Sequence, residues 1–211
     1  MTPIALLWQK AHQTSQPNIT ETVKRSAPMD EDLVLIRRVA RHDRQAFEIL
    51  YHRYARRLAS YLARLLRQRE LVEEVLNDVM LVVWQNAARF EPTARFSTWL
   101  FGIAHHKAMK ALGRSANKPL PMLTVPHAEA SDQDNPEGMM THQELGHTLT
   151  RALSTLSPEQ RAVVELTFYH EYSYQEIAEI VGCPVNTVKT RMFHARRRLA
   201  QCLARLGLHR A

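Results

Sequence analysis

A short break in the C-terminal half of the chain, Gly182-Cys183-Pro184, limits the fold more than any other feature of the sequence. The residues before it, from Tyr174 to Val181, carry apolar side chains at helical spacing, and this spacing resumes after the break. Glycine commonly follows a helix C-terminus, and proline cannot continue a helix because it lacks a backbone donor and clashes with the preceding turn. The break therefore predicts two helices joined by a tight turn, the arrangement called helix-turn-helix.

Two capping boxes predict where the helices near this break begin. Ser157 is followed by Pro158 and then by Gln160, and Ser173 is followed three residues later by Glu176. A capping serine accepts a hydrogen bond from the third helical residue, whose side chain bonds back to the cap, and proline is favoured at the first helical position. Two helix starts are therefore predicted independently of hydrophobic spacing.

The helix after the break has two chemically different faces. Its apolar residues, Val188, Met192, Ala195 and Leu199, fall on one side, and no carboxylate occurs from Ile180 to the C-terminus. On the other side, lysine and threonine can contact base edges, phenylalanine can pack on a thymine methyl, and neighbouring arginines favour phosphate. The alternative is an ordinary basic surface helix. The candidate DNA-binding residues are Asn186, Thr187, Lys189, Thr190, Arg191, Phe193, His194, Arg196 and Arg197.

The rest of the chain is also predicted to be helical. Glycine is rare and apolar residues repeat at helical spacing, so the expected fold class is all-α, with two small helical domains joined by a flexible linker. In the N-terminal half, one helix is expected from Ser97 as N-cap to Gly113 as C-terminal stop. The predicted boundaries are a flexible extension over 1–28, a first domain over 29–114, an acidic proline-containing linker over 115–144 and a second domain over 145–211.

One predicted helix of the first domain, over residues 70–90, carries apolar side chains on an acidic face. Leu81 and Trp84 fall away from the core stripe at the helical period. An apolar patch with a charged rim is typical of a protein contact, and its carboxylates would repel DNA phosphates. The alternative is that Trp84 covers a neighbouring helix. The candidate protein-binding residues are Glu73, Glu74, Asn77, Asp78, Leu81 and Trp84.

The segment from Arg89 to Lys107 interleaves aromatic and cationic residues, with Phe90, Phe96 and Trp99 among them. Aromatic rings among cations stack on unpaired bases in single-strand-binding proteins. Aromatic residues at helix junctions are also common in cores, so both interpretations stay open for each ring.

Composition narrows the class of function. The 28 Lys and Arg against 21 Asp and Glu give a net charge of +7, which favours a polyanionic partner, either nucleic acid or an anionic membrane surface. The two cysteines, Cys183 and Cys202, lack the spacing of a disulfide framework or metal site, so we expect a cytoplasmic protein without metal or cofactor. The longest apolar run, from Val79 to Trp84, is too short to cross a membrane, and no membrane insertion is expected. The sequence shows no nucleophile-base pair or phosphate loop, so an enzyme is not expected.

Three motifs together resemble one family. They read VEEVLNDVMLVVW, ARFSTWLFGIA and LSPEQRAVVELTFYHEYSYQEIAEIVGCPVNTVKTRMFHARRRL, and they are similar to bacterial extracytoplasmic-function sigma factors of group 4, the small two-domain type. The resemblance covers about Asp30 to Leu203. It implies that the first domain is sigma domain 2, which binds the clamp helices of the largest subunit of core RNA polymerase and melts the minus-ten element. It further implies that the second domain is sigma domain 4, which reads the minus thirty-five element beside the flap of the second subunit, and that an anti-sigma factor is a partner.

The resemblance also assigns roles to residues. Asn77, Asp78 and Leu81, with Glu74, match positions of polymerase contact, and the loop from Glu91 to Phe96 is expected to accept a flipped base. Lys189, Thr190, Phe193 and His194 match the positions that read the minus thirty-five element. The chain departs from many relatives at His106, Lys110 and His194. The minus-ten and melting candidates are Glu91, Thr93, Arg95, Phe96, Trp99, His105, His106 and Lys110.

The expected function is promoter-directed initiation of transcription in a stress or envelope response. One alternative is a stand-alone helix-turn-helix regulator that dimerises through its first domain to bind a symmetric operator. Another is a helical adaptor whose basic end binds membrane or RNA without sequence preference.

Overall fold

A computed structural model describes residues 26–115 and 150–205, and all regular structure in these two ranges is helical, as predicted. The predicted linker, apart from Ser115, and most of the predicted N-terminal extension lie outside the described residues. The helices are α1 (Ser26–Val39), α2 (Arg44–Leu66), α3 (Arg69–Asn86), a 3-10 turn (Ala87–Arg89), α4 (Phe96–Ser115), α5 (Pro158–Phe168), α6 (Tyr174–Val181) and α7 (Val185–Arg205), and residues 150–154 are also helical.

Two helices of the C-terminal half begin at the predicted capping serines, and one ends at the predicted glycine. The Ser157 hydroxyl accepts a bond of 3.3 Å from the backbone N–H of Gln160 at the start of α5. At the start of α6, the Ser173 hydroxyl accepts from the Glu176 N–H at 3.3 Å, and the Glu176 carboxylate accepts from the Ser173 N–H at 2.9 Å. Gly182 ends α6 with a φ of 65°, in the left-handed region that glycine adopts without strain.

Three predicted boundaries were wrong by a few residues. Helix α1 begins at Ser26, so the last residues of the predicted extension are helical. Helix α4 begins at Phe96 because the Arg95 carbonyl accepts a bond of 3.1 Å from the Trp99 N–H, and Ser97 therefore lies inside the first turn. Gly113 does not stop α4, because a glycine inside a helix costs only about 1 kcal/mol and the helix continues to Ser115.

Helices α1 to α4 form an N-terminal bundle around the apolar face of α2. The centre of this face is almost fully buried, at Leu50, Leu58, Tyr61 and Leu62. Asp32 joins α1 to α2 by accepting a bond of 2.6 Å from Arg53 and another from the Tyr54 hydroxyl.

Residues 150–205 form a C-terminal bundle in which α5 and α6 pack on α7. Its core includes Leu166, Ile177 and Ile180 together with Val188 and Met192 from α7. The two bundles also touch directly, with α4 against α6 and α2 against α5. Sequence periodicity did not predict this contact.

Candidate nucleic-acid and polymerase interfaces

The two faces of α7 are those predicted from the sequence. Val188 and Ala195 are fully buried and Met192 is 2% exposed, whereas the adjacent Phe193 is 62% exposed. A helix held along one side by its apolar residues presents the other side in a fixed orientation. The exposed residues of that other side are Asn186, Lys189, Thr190, Phe193, His194 and Arg197, while Thr187, Arg191 and Arg196 are partly buried.

Two candidate DNA-binding side chains are already held by bonds near α7. The Thr190 hydroxyl donates to the Asn186 carbonyl at 2.9 Å, which leaves its methyl group and an oxygen lone pair for a base. Arg191 donates to the Cys183 sulfur at 3.6 Å and therefore lies against the turn of the helix-turn-helix. Among the predicted base-reading residues, Lys189, Phe193 and His194 are exposed, and the rings of the last two lie 5.5 Å apart between centroids.

The basic side of α7 extends into an open cleft of ≈ 510 Å³ between α7 and the start of α5. Guanidinium groups along a helix flank favour phosphate oxygens and supply affinity without sequence preference. The cleft is lined by Thr155, Gln160, His194, Arg197, Arg198, Gln201, Cys202 and Arg205.

The predicted minus-ten residues divide between surface and interior. Glu91, Thr93, His106 and Lys110 are exposed, and Arg95 and Trp99 are partly exposed. Two others are corrected by the structure, because Phe96 is 3% exposed and His105 is 4% exposed. Neither side chain can contact DNA in this conformation.

Phe96 belongs to the core of the N-terminal bundle. Its ring lies 5.3 Å from that of Tyr54 and 6.0 Å from those of Phe90 and Trp99, measured between centroids. Rings at such distances and tilted to one another pack favourably, and the core interpretation of this aromatic residue is therefore correct.

His105 of α4 is buried. Its Nδ1 lies 2.9 Å from the Tyr61 hydroxyl. Burial, together with the neighbouring charges of His106 and Arg191, lowers the pKa of His105 from 6.5 to about 4, and Glu159 opposes this shift. The imidazole is therefore neutral at neutral pH. The apolar spacing of Phe101, Ala104, Ala108 and Ala111 includes position 105, and this signal in the sequence was missed.

The acidic face of α3 keeps an exposed apolar centre. Leu81 is 51% exposed, and Glu73, Glu74 and Asn77 are exposed near it on the same helix. The Asp78 carboxylate pairs with the Lys107 amine at 3.0 Å. This patch has the composition expected of a protein-binding surface.

Trp84 differs from Leu81 because its ring packs inside the bundle. The ring lies 5.2 Å from Phe47 and 5.6 Å from His42, and the side chain is partly buried. The alternative interpretation, that Trp84 covers a neighbouring helix, therefore accounts for most of its surface.

Comparison with known proteins places both bundles in one family. The models named Sigma-70 region 2 and Sigma-70, region 4 match residues 50–117 and 147–199. The ECF RNA polymerase sigma-E factor of Escherichia coli (strain K12) is 32% identical over 174 residues, which covers 78% of this chain and 90% of that protein. The chain belongs to the extracytoplasmic-function family of RNA polymerase sigma factors. The RNA polymerase sigma-H factor of Pseudomonas aeruginosa is 27% identical over 182 residues, 82% of this chain and 94% of that protein.

Solved structures share the fold of this sigma factor. CnrH in complex with the cytosolic domain of CnrY matches with a TM-score of 0.62 at 24% identity, over 82% of this chain and 97% of that chain. The sigma factor RpoE in complex with the anti-sigma factor NepR from Bartonella quintana matches with a TM-score of 0.56 at 24% identity, over 75% of this chain and 96% of that chain.

The family membership establishes the function at the level of the whole chain. This sigma factor binds core RNA polymerase and directs promoter-specific initiation, and a stand-alone regulator is not favoured. Among residues 26–115 and 150–205, no helix has the length and hydropathy to span a bilayer. The same residues contain no group of three or more His, Cys, Asp or Glu placed to hold a metal ion.

Proposed function

We propose that this protein is a group 4 sigma factor whose α7 reads the minus thirty-five element through Lys189, Thr190, Phe193 and His194. The observation that carries the proposal is the orientation of α7, where Phe193 is 62% exposed beside Met192, which is 2% exposed. An aromatic ring and an amine held outward on one helix face match the chemistry of a major-groove contact. Asn186, Arg191, Arg196 and Arg197 supply phosphate and edge contacts around them.

Residues 29–114 serve as sigma domain 2, and residues 145–211 serve as sigma domain 4. In the first of these, the exposed loop at Glu91 and Thr93 accepts an unstacked base beside Trp99. His106 and Lys110 lie further along α4 and face solvent. Phe96 and His105 hold this region from within and are not part of the contact surface.

The acidic patch on α3 binds the clamp helices of core polymerase. Leu81 supplies the apolar centre, and Glu73, Glu74, Asn77 and Asp78 form the polar rim that orients the partner. The C-terminal bundle contacts the polymerase flap. The chain acts in the cytoplasm without covalent chemistry of its own, in a stress or envelope response. An anti-sigma factor controls it, as the solved complexes of similar proteins with CnrY and NepR suggest.

Run-off transcription with purified core polymerase tests this function directly. Promoter-dependent transcripts from a genomic template pool should appear only when the chain is added. A matched pair of α7 variants then tests base reading. Lys189→Ala should weaken binding to a selected minus thirty-five duplex by about 1 to 3 kcal/mol and relax its sequence preference, because a lost contact to a base edge carries specificity.

Arg198→Ala is the control, since it removes the same charge from the phosphate side of the same helix. It should weaken binding to selected and random duplexes alike and reduce the salt dependence by about one counterion. Equal losses on random DNA for Lys189→Ala would contradict base reading by α7.

A further inference from the structure

The corner between α1 and α2 has the backbone of a turn that usually contains glycine. The His42 N–H donates to the Val39 carbonyl at 2.8 Å, and the Asp43 N–H donates to the Arg38 carbonyl at 3.2 Å. These two bonds form a Schellman motif, in which the residue that follows the helix takes a left-handed backbone and is most often glycine. In this chain that residue is His42, with a φ of 61°.

Side chains on both sides hold the corner in this strained form. The Asp43 carboxylate accepts a bond of 3.1 Å from the Ala46 N–H at the start of α2 and pairs with Arg38 at 2.7 Å. Histidine enters the left-handed region more readily than most residues, but only glycine does so without strain. Glycine would make the same backbone bonds, so the turn itself does not require the imidazole of His42.

The imidazole of His42 packs on a tryptophan of α3. Its ring centroid lies 5.6 Å from that of Trp84, and the same indole meets Phe47 of α2 edge to face at 5.2 Å. His42 is exposed, and Trp84 is partly exposed. The indole is therefore held by a ring from the corner and a ring from α2, while part of it still faces outward.

This held indole continues an exposed apolar surface of α3. Leu81 is three positions before Trp84, so the two side chains lie on the same face of the helix, and Leu81 is 51% exposed. We call His42, Trp84 and Leu81 the corner platform. Exposed apolar surface with a charged rim is typical of a protein contact, and tryptophan is enriched among the residues that dominate binding energy.

We propose that the polymerase-binding surface extends from α3 to the α1–α2 corner, where the His42 ring contacts polymerase and holds Trp84 in its binding orientation. The inference rests on the proposed role of the α3 patch, and its partner is the same apolar face of the clamp helices that contacts Leu81. A side chain that is already held loses less conformational entropy on association. The strain at His42 is therefore offset in the complex with polymerase and not in the free chain.

A purely structural role for His42 predicts a different result. If the ring only covered Trp84, it would stabilise the free N-terminal bundle, and replacement by glycine would lower the urea concentration at the midpoint of unfolding. If the ring serves polymerase binding, glycine relieves the backbone strain and removes the contact. Stability is then unchanged or higher, and affinity for polymerase falls.

The test uses three variants of the full chain. His42→Gly removes the ring and the strain, and His42→Phe keeps a ring at the corner. Arg67→Gly is the matched control, because Arg67 also has a φ of 61° and its N–H donates to the Ala63 carbonyl at 3.0 Å. It lies at the far end of α2, a helix of 23 residues, and is therefore about 35 Å from the corner.

Titration of a fluorescently labelled chain with purified core polymerase measures affinity, and urea unfolding measures stability. His42→Gly should bind core polymerase roughly three- to tenfold more weakly than the wild type, with an unfolding midpoint no lower than that of the wild type. His42→Phe and Arg67→Gly should bind core polymerase as the wild type does. Binding of a minus thirty-five duplex should be the same for all three variants.

Unchanged affinity of His42→Gly for polymerase would overturn the proposal, and so would an equal loss in Arg67→Gly. A clearly lower unfolding midpoint for His42→Gly would also overturn it, because the ring would then belong to the core. Leu81→Ala separates this inference from the proposed function. If Leu81→Ala binds polymerase normally, the role of the α3 patch fails, whereas weakening by Leu81→Ala alone rejects only the role of the corner.

Discussion

Replacing Phe193 with alanine should weaken promoter binding while leaving the fold almost unchanged. The ring is 62% exposed, whereas the neighbouring Met192 is 2% exposed and forms part of the core beneath α7. Substitutions at exposed positions away from caps and buried networks usually change the free energy of unfolding by no more than about 0.5 kcal/mol. We therefore expect stability and DNA binding to separate at this pair of adjacent residues.

The size of the binding effect follows from the area that the ring still exposes. A phenylalanine side chain buries about 150 to 200 Å² when fully enclosed. With 62% of the residue exposed, DNA contact can remove at most about 100 to 120 Å² of apolar surface. At about 25 cal/mol per Å² this limits the contribution to about 3 kcal/mol. Because a groove covers a ring only in part, we expect about 1 to 2 kcal/mol, a roughly 5- to 30-fold loss of affinity.

Fluorescence anisotropy measures the affinity on a duplex selected by the wild type from a random pool, and urea unfolding measures stability. Met192→Ala is the matched control and should lose about 2 to 4 kcal/mol of unfolding free energy through the cavity it leaves. Its folded fraction should bind DNA nearly as the wild type does. Equal weakening on random duplex, or a destabilisation by Phe193→Ala as large as that of Met192→Ala, would refute the assignment of the two faces.

Two further predictions concern the N-terminal bundle. Burial lowers the pKa of His105 from 6.5 to about 4, so between these two pH values the unfolded chain binds a proton that the folded chain does not. Part of the free energy of unfolding that is present above pH 6.5 is therefore lost as the pH falls towards 4. His105→Gln should remove roughly 1 kcal/mol of that loss between pH 7.5 and 5.5 in urea unfolding, and an unchanged pH dependence would contradict it. Leu81→Ala should weaken binding to core polymerase by about 1 to 2 kcal/mol in a pull-down titration without changing binding of a minus thirty-five duplex, whereas Val82→Ala on the same helix should not weaken it.

The sequence anticipated the local structure of the C-terminal bundle because that structure is set by neighbouring residues. Ser157 and Ser173 cap helices through bonds to residues three positions away, and Gly182 ends a helix through its own backbone angle. These interactions are complete within one turn of the chain. The periodic apolar residues of α7 likewise fixed which face is buried.

Phe96 and His105 could not be assigned correctly by chemical type alone. An aromatic residue or a histidine serves equally well in a core and in a nucleic-acid contact, and only the neighbours decide between the two. Phe96 packs against Tyr54 and Phe90, and His105 lies within bonding distance of the Tyr61 hydroxyl. Trp84 shows the same ambiguity, since its ring packs on Phe47.

By itself the sequence determined that the chain is all-α, where its C-terminal helices start and stop, and which side of α7 faces outward, because these depend on spacing and short-range bonds. The tertiary structure alone decided how the two bundles meet. Arg64 and Glu165 are far apart in the chain, and Gly102 reveals a close helix contact only when Ile180 is placed opposite it. Contacts of this kind leave no periodic signal, since each partner is chosen by the path of the whole chain.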